Sequence, residues 1–322
     1  MSKKIRTDKS SAAKESSKVR NILMPSETLS LMSGEALLSL EHKPTHRHWG
    51  RLITNEMIGM LYGPRGSGKT YAALGLAVAM STGKPYLGLK PSHPRKVVML
   101  DGEMGSKLMK RRMKEMRASL GAETLGELLV LTPDMYAHVL PSLGTQRGQE
   151  EINRLIPDDT DVIIVDNVSA WNRGGREDAD GWNLWAEWLL KHKHLGRTVI
   201  VVHHANKGGG QRGTSKREDN LDFVIKLNPT PDPEDTDALS FTLSWEKVRA
   251  VGKSESRAIH VTRAERDGKP PKWKYRDVPT LDGRLARAIE MRDGGKTLEE
   301  IGAVLGINKS SVSRMLKGIP KK

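Results

Sequence analysis

Residues 63–70 read Gly63, Pro64, Arg65, Gly66, Ser67, Gly68, Lys69 and Thr70, the spacing G-x-x-x-x-G-K-[ST]. Glycines at these positions let the backbone curl until successive N–H groups converge on phosphate oxygens. A helix starting directly afterwards adds the positive end of its dipole. Lys69 has the length to reach β- and γ-phosphates, and a hydroxyl at Thr70 suits a Mg²⁺ ligand. The loop therefore predicts ATP and Mg²⁺ as the cofactors. A glycine-rich turn with an exposed lysine is the plain alternative. It is disfavoured by the apolar run 57–62 before the loop and the Ala/Leu-rich helical pattern 70–82 after it, closed by Gly83.

Such a loop needs a carboxylate to position metal and water. Asp166 follows the apolar run 162–165 (VIIV) and is expected at the carboxyl edge of a strand, where ligands of parallel sheets bind. Its alternative role is to cap the next turn. Residues 100–103 (LDGE) end another apolar run in the same way, and a carboxylate there would handle the attacking water's proton. Glu103 is preferred to Asp101 for its reach and its place past the strand end, although both could be solvated turn residues. His203 and His204 follow a fifth strand pattern. Neighbours on a strand point to opposite faces, so the pair cannot both chelate one metal if the strand continues through them. One of them could report the γ-phosphate, and either could equally be a packed core histidine. The loop 207–217 (KGGGQRGTSKR) is basic and glycine-rich, suited to a phosphate backbone or a neighbouring subunit.

These residues need a scaffold. Short β-branched runs at 96–100, 128–131, 162–165 and 198–202 alternate with helical patterns at 107–120, 149–156 and 180–195. Continuous apolar strands between helices indicate an α/β fold with a parallel sheet covered on both faces. After Asp222 the runs FVIKL, LSFTLSW and AIHVTR predict an antiparallel extension. The expected domain plan is a disordered basic arm over 1–25, an ATPase core over 26–265, a Pro/Gly-containing linker over 266–283 and a small helical domain over 284–322.

In order, the phosphate loop, strand-end Glu, strand-end Asp, HH-x-x-K and R-G-[ST]-S resemble the RecA-like ATPases of the plasmid RepA hexameric helicase family, over about residues 40–227. The resemblance implies a RecA-like P-loop NTPase core and a ring, usually a hexamer, with ATP between subunits. It implies that Lys69 and Thr70 hold phosphate and Mg²⁺, that Glu103 is the catalytic glutamate and that Asp166 is the second carboxylate on the Mg²⁺ side. His204 or His203 would link nucleotide state to the DNA-facing loops, and Arg212 would be an arginine finger reaching the neighbouring site. Met104 stands where some relatives carry a second acid.

The C-terminal residues read as a helix-turn-helix. Thr297 with Glu300 makes the capping-box pattern, Gly306 the turn, and residues 308–316 (NKSSVSRML) a recognition helix. Lys309, Ser310, Ser311, Ser313, Arg314 and Lys317 would then face duplex DNA, with Val312 and Met315 or Leu316 inward. A protein-docking three-helix module is the alternative. Trp182, Trp185 and Trp188 form one helical stripe, read as packing. Trp171, just past Asp166 in SAWNRGGRED, lies in a stretch that could form a loop facing a central pore, where stacking on single-stranded DNA is one reading and packing the other.

The chain of 322 residues has a formal net charge of +14, which favours polyanionic partners. With no cysteine and no apolar run long enough to span a bilayer, a membrane partner is not expected and a cytoplasmic location is. Lys207, in the basic loop, would contact single-stranded DNA inside the ring. The reading that joins these features is a DNA-acting ring ATPase, a RepA-like replicative helicase of a plasmid or phage. A recombination or annealing ATPase and a DNA-bound regulator switched by ATP stand as alternatives.

Overall fold

The structure is a computed structural model that describes residues 31–41, 44–172, 179–205, 220–232, 238–249, 256–267, 269–278 and 281–317. The basic arm expected over 1–25 and the loop residues Lys207 and Arg212 lie outside them. Residues 1–45 form one unit and 46–322 another. In the first, helix α1 (Gly34–Leu38) is capped by Ser33, whose hydroxyl accepts from the Ala36 N–H, and buries none of its residues.

In the second unit a short ribbon, β1 (Arg47–Trp49) with β2 (Ile53–Thr54), precedes a large sheet. The elements that follow are β3 (Ile58–Gly63), α2 (Lys69–Thr82), β4 (Val97–Asp101), α3 (Ser106–Ser119), β5 (Leu128–Leu131), α4 (Gln146–Asn153), β6 (Val162–Asp166), α5 (Val168–Trp171), α6 (Ala179–His194) and β7 (Thr198–His204). Four more strands complete the sheet: β8 (Phe223–Pro229), β9 (Leu239–Val248), β10 (Ala258–Arg266) and β11 (Lys269–Val278). The sheet has nine strands in the order β11-β10-β9-β8-β3-β7-β6-β4-β5. From β8 to β5 all neighbours are parallel, and from β8 to β11 all are antiparallel. This is the RecA-like parallel core with an antiparallel extension expected from the sequence.

The strand sequences follow from their burial. β3, β4 and β6 are buried along their whole length, so they are runs of apolar residues rather than alternations. Helices cover both faces. On one, α2 packs its alanines, Leu74, Leu76, Val78 and Met80 with Met109 and Met116 of α3. On the other, Trp182, Trp185 and Trp188 of α6 pack with Ile58, Met60, Ile163 and Val165. The tryptophan stripe is core.

Two expectations are corrected. The linker expected over 266–283 is largely strand: β11 pairs with β10 from Ala258↔Val278 to Arg266↔Lys269. Its prolines and lysines reflect an edge position, where a missing N–H and outward charges are tolerated and block further pairing. Only the face with Pro271 and Trp273 is buried. Trp171 is not in a loop facing a pore. It ends α5, is fully buried, and its indole N–H donates to the Leu100 carbonyl at 3.2 Å.

The chain ends in three helices, α7 (Leu281–Asp293), α8 (Leu298–Leu305) and α9 (Lys309–Leu316), around Ala288, Ile301, Val312 and Leu316. The capping box forms as expected, with the Glu300 N–H donating to the Thr297 hydroxyl and the Thr297 N–H to Glu300. Gly306 closes α8 at φ +65°, and Asn308 caps α9 by accepting from the Ser311 N–H. No helix among the described residues is long and apolar enough to cross a membrane.

Candidate nucleotide site

Parallel pairing brings the candidate residues to one edge. Gly63 lies beside His204, and Asp101 beside Asp166, so the ends of β3, β4, β6 and β7 surround the phosphate loop. The cavity there measures about 610 Å³, and Arg65, Lys69, Glu103, Arg112, Asp166 and His204 line it.

The loop from Gly63 to Thr70 curls through two left-handed residues, Gly66 at φ +77° and Gly68 at φ +83°. A Cβ on Gly68 would also come within 2.8 Å of Phe241 on β9, so this position excludes any larger residue twice over. Lys69 is buried and its ammonium donates to the Pro64 carbonyl at 2.7 Å, closing the loop on itself. Burial lowers its pKa, while Asp166 and then Glu103 pull the other way.

Asp166 is 4% exposed, and burial pushes its pKa up to about 6, against a hydrogen bond from the Thr70 hydroxyl that favours the ionised form. The negative charge of Glu103 adds to the rise. Its Oδ2 is buried with no hydrogen-bond partner among the described residues. A carboxylate beside the Thr70 hydroxyl with a buried, unpartnered Oδ2 fits a Mg²⁺ that the Thr70 hydroxyl and phosphate would hold, with Asp166 nearby.

The two acids after β4 separate clearly. Asp101 is 1% exposed and accepts the backbone N–H groups of Glu103 at 3.1 Å and Met104 at 3.1 Å. It builds the turn, and burial pushes its pKa up to about 7. Glu103 is thereby presented to the cavity with its side chain 54% exposed. Of the two acids, the fold brings Glu103 to the cavity and commits Asp101 to the turn.

The histidines separate as well. His203 is 2% exposed and sits beside Tyr62 within the sheet, whereas His204 reaches the cavity. Its Nε2 lies 3.2 Å from the Asn167 side-chain nitrogen and 3.7 Å from Glu103 Oε1. Asn167 caps α5 by accepting the Ala170 N–H on Oδ1, which leaves its NH₂ group to donate to His204. The imidazole is then neutral, and burial, followed by the Lys69 charge, lowers its pKa accordingly.

Arg112 and Asn167 escaped sequence reasoning. Arg112 lines the cavity from α3, donates to the Met104 sulfur at 3.0 Å, and has no ion-pair partner among the described residues. The signal available was its place on the helix after Glu103, hidden in a helix rich in basic residues. At the C-terminal helices, Lys309, Ser310, Ser313, Arg314 and Lys317 are exposed and Ser311 is half-buried. Lys309 is paired with Glu299 of α8, and Arg314 donates to the Ser311 hydroxyl at 3.4 Å.

A phosphate loop between β3 and α2, facing carboxylates at the ends of β4 and β6 of this sheet, defines a RecA-like P-loop ATPase. A family model described as an AAA domain matches residues 25–210, more than half of the chain, and the chain belongs to that family. No match to a curated protein is found. Among solved structures, the chain is similar to the RadB recombinase, at 16% identity and TM-score 0.44, over 68% of this chain and 90% of that one. A KaiC-like protein from Pyrococcus horikoshii matches at 15% identity and TM-score 0.49, over 70% and 91% respectively. The flagellar accessory protein FlaH from Methanocaldococcus jannaschii matches at 14% identity and TM-score 0.49, over 69% and 90%.

Proposed function

We propose that this chain hydrolyses ATP in a homo-hexameric ring and uses the cycle to move on DNA, as a RepA-like replicative helicase of a plasmid or phage, working in the cytoplasm. The observation that carries the hydrolysis reading is the division of labour after β4: Asp101 builds the turn, and Glu103 is presented to the cavity over the loop. Water attacks the γ-phosphorus and the bond to the bridging oxygen breaks, leaving ADP and phosphate. Glu103 orients that water and accepts its proton. Lys69 and the loop N–H groups meet the charge on the β- and γ-phosphates, and Arg112 adds a second cation from the side of α3. When bound beside Thr70 and Asp166, Mg²⁺ supplies charge neutralisation at the phosphates. His204, neutral and bonded to Asn167, reports the state of Glu103 and the γ-phosphate to the end of β7.

The finer assignments belong to the same proposal. Arg212 acts as an arginine finger on the neighbouring subunit's ATP, and Lys207 holds single-stranded DNA in the ring. Duplex DNA docks on α9 through Ser310, Ser311, Ser313, Arg314 and Lys317, with Lys309 at the rim. The capping box and exposed helix face of a helix-turn-helix support this reading. The decisive experiment measures ATP turnover with and without single-stranded DNA, alongside the mass of the assembly and its shape by electron microscopy. Stimulated turnover in closed rings supports the proposal. Helical filaments would point to a recombination ATPase, and DNA binding without stimulation or unwinding to a regulator.

A further inference from the structure

Arg112 and Glu115 are three apart on α3, where an arginine and a carboxylate ordinarily pair. They do not pair here. Glu115 Oε2 accepts instead from the Tyr71 hydroxyl at 3.2 Å and from the Arg263 guanidinium of β10 at 3.0 Å. The Arg112 guanidinium lies over the Tyr71 ring, 4.5 Å from its centroid, and the Arg263 guanidinium lies 5.5 Å from the same ring. Trp273 of β11 packs against Tyr71 at 5.4 Å. Tyr71 itself follows Thr70 of the phosphate loop and borders the same cavity.

We propose that Tyr71 is a positioning residue for Arg112: its ring holds the guanidinium at the edge of the nucleotide cavity without neutralising it. The inference rests on the ATPase reading above. A carboxylate would also hold an arginine, but it would cancel the charge that the phosphates need and compete with them for the same N–H groups. An aromatic face attracts the cation through its quadrupole and leaves the N–H edge free. Glu115 is kept from that role by Arg263, which takes its charge, and by the tyrosine hydroxyl. The antiparallel extension therefore sets the angle of the ring. Arg263 and Trp273 reach Tyr71 from β10 and β11, so the extension serves the chemistry at the phosphate loop as well as closing the sheet.

The test is a double-mutant cycle on the full-length protein, reading kcat, KM and the affinity for a fluorescent ATP analogue. Tyr71→Phe keeps the ring face, and its kcat should stay within about twofold of wild type. Tyr71→Leu should lower kcat about tenfold with little change in KM, the size expected for a partly desolvated cation–ring contact. In an Arg112→Ala background, Tyr71→Leu should cost almost nothing further, because the residue it acts through is gone. Tyr71→Met, which keeps apolar volume without a ring, stands in if the leucine variant fails to fold by circular dichroism. An equal loss in both backgrounds, or a folded ring-less variant with wild-type kcat, overturns the proposal. A wild-type protein that binds ATP without turnover would instead sink the ATPase reading and this inference with it, whereas an equal loss in both backgrounds of an active enzyme sinks the inference alone.

Discussion

The Glu103 carboxylate faces the His204 ring across the open end of the sheet, Oε1 3.7 Å from Nε2. One stands on the turn after β4 and the other at the end of β7, and their contact is not visible from sequence separation. Asn167 occupies Nε2 as a donor, so the histidine meets Glu103 as a neutral ring and not as an ion-pair partner. A neutral neighbour leaves the glutamate free to take a proton from water.

Glu103→Gln should retain ATP binding and assembly and lose turnover by about 10²–10⁴-fold, the usual contribution of a positioned base. Lys69→Ala should abolish nucleotide binding itself. Isothermal titration with ATP beside a phosphate-release assay separates the two, and near-normal turnover in Glu103→Gln would assign the base elsewhere.

Asp101 links stability to pH. Burial pushes its folded pKa up to about 7, above the ordinary aspartate value of 3.8. Between those values the folded state holds a proton that the unfolded state has lost. The stabilisation is thus complete below about pH 4 and is lost as pH rises through about 7. Asp101→Asn keeps an acceptor for the turn and removes the titration. Its Tm relative to wild type should climb between pH 5 and pH 8, measured on nucleotide-free protein by differential scanning fluorimetry. A constant difference across that range would show that Asp101 is ionised throughout.

Trp171→Phe should destabilise the core by about 1–3 kcal/mol, since the Leu100 carbonyl loses its buried donor. Urea titration gives the loss. Affinity of the folded variant for single-stranded DNA should be unchanged, because the indole does not reach solvent. Weakened DNA binding at full stability would restore the stacking role.

Truncation after Val278 keeps β11 and removes α7 to α9. Basal turnover should survive, and duplex DNA binding should weaken with a shallower salt dependence. Arg314→Ala alone should lower duplex affinity without touching ATPase. If Arg314 grips a phosphate, the slope of log affinity against log salt falls by about 0.9, and if it reads a base, sequence preference relaxes instead. Fluorescence anisotropy over a salt series decides, and equal binding by the truncated chain would make the helices a protein-docking module.

Local chemistry made part of this protein legible from its sequence alone. The phosphate loop is a contiguous stretch whose glycines and lysine announce their own geometry. The apolar runs ending in Asp101 and Asp166 announce buried parallel strands, and Thr297 with Glu300 announces a helix start. Each depends on residues a few positions apart. The rest needed partners from far along the chain. Asp101 and Glu103 look alike until burial and two backbone N–H groups commit Asp101 to the turn. His203 and His204 differ only through the strands and side chains beside them. Residues 269–278 resembled a linker because their polar composition reflects one solvent-facing side of an edge strand, and the pairing with β10 that makes them a strand is tertiary. Arg112 reads as one cation among many on α3, until folding lays it on the Tyr71 ring at the rim of the cavity while Glu115 turns to Arg263.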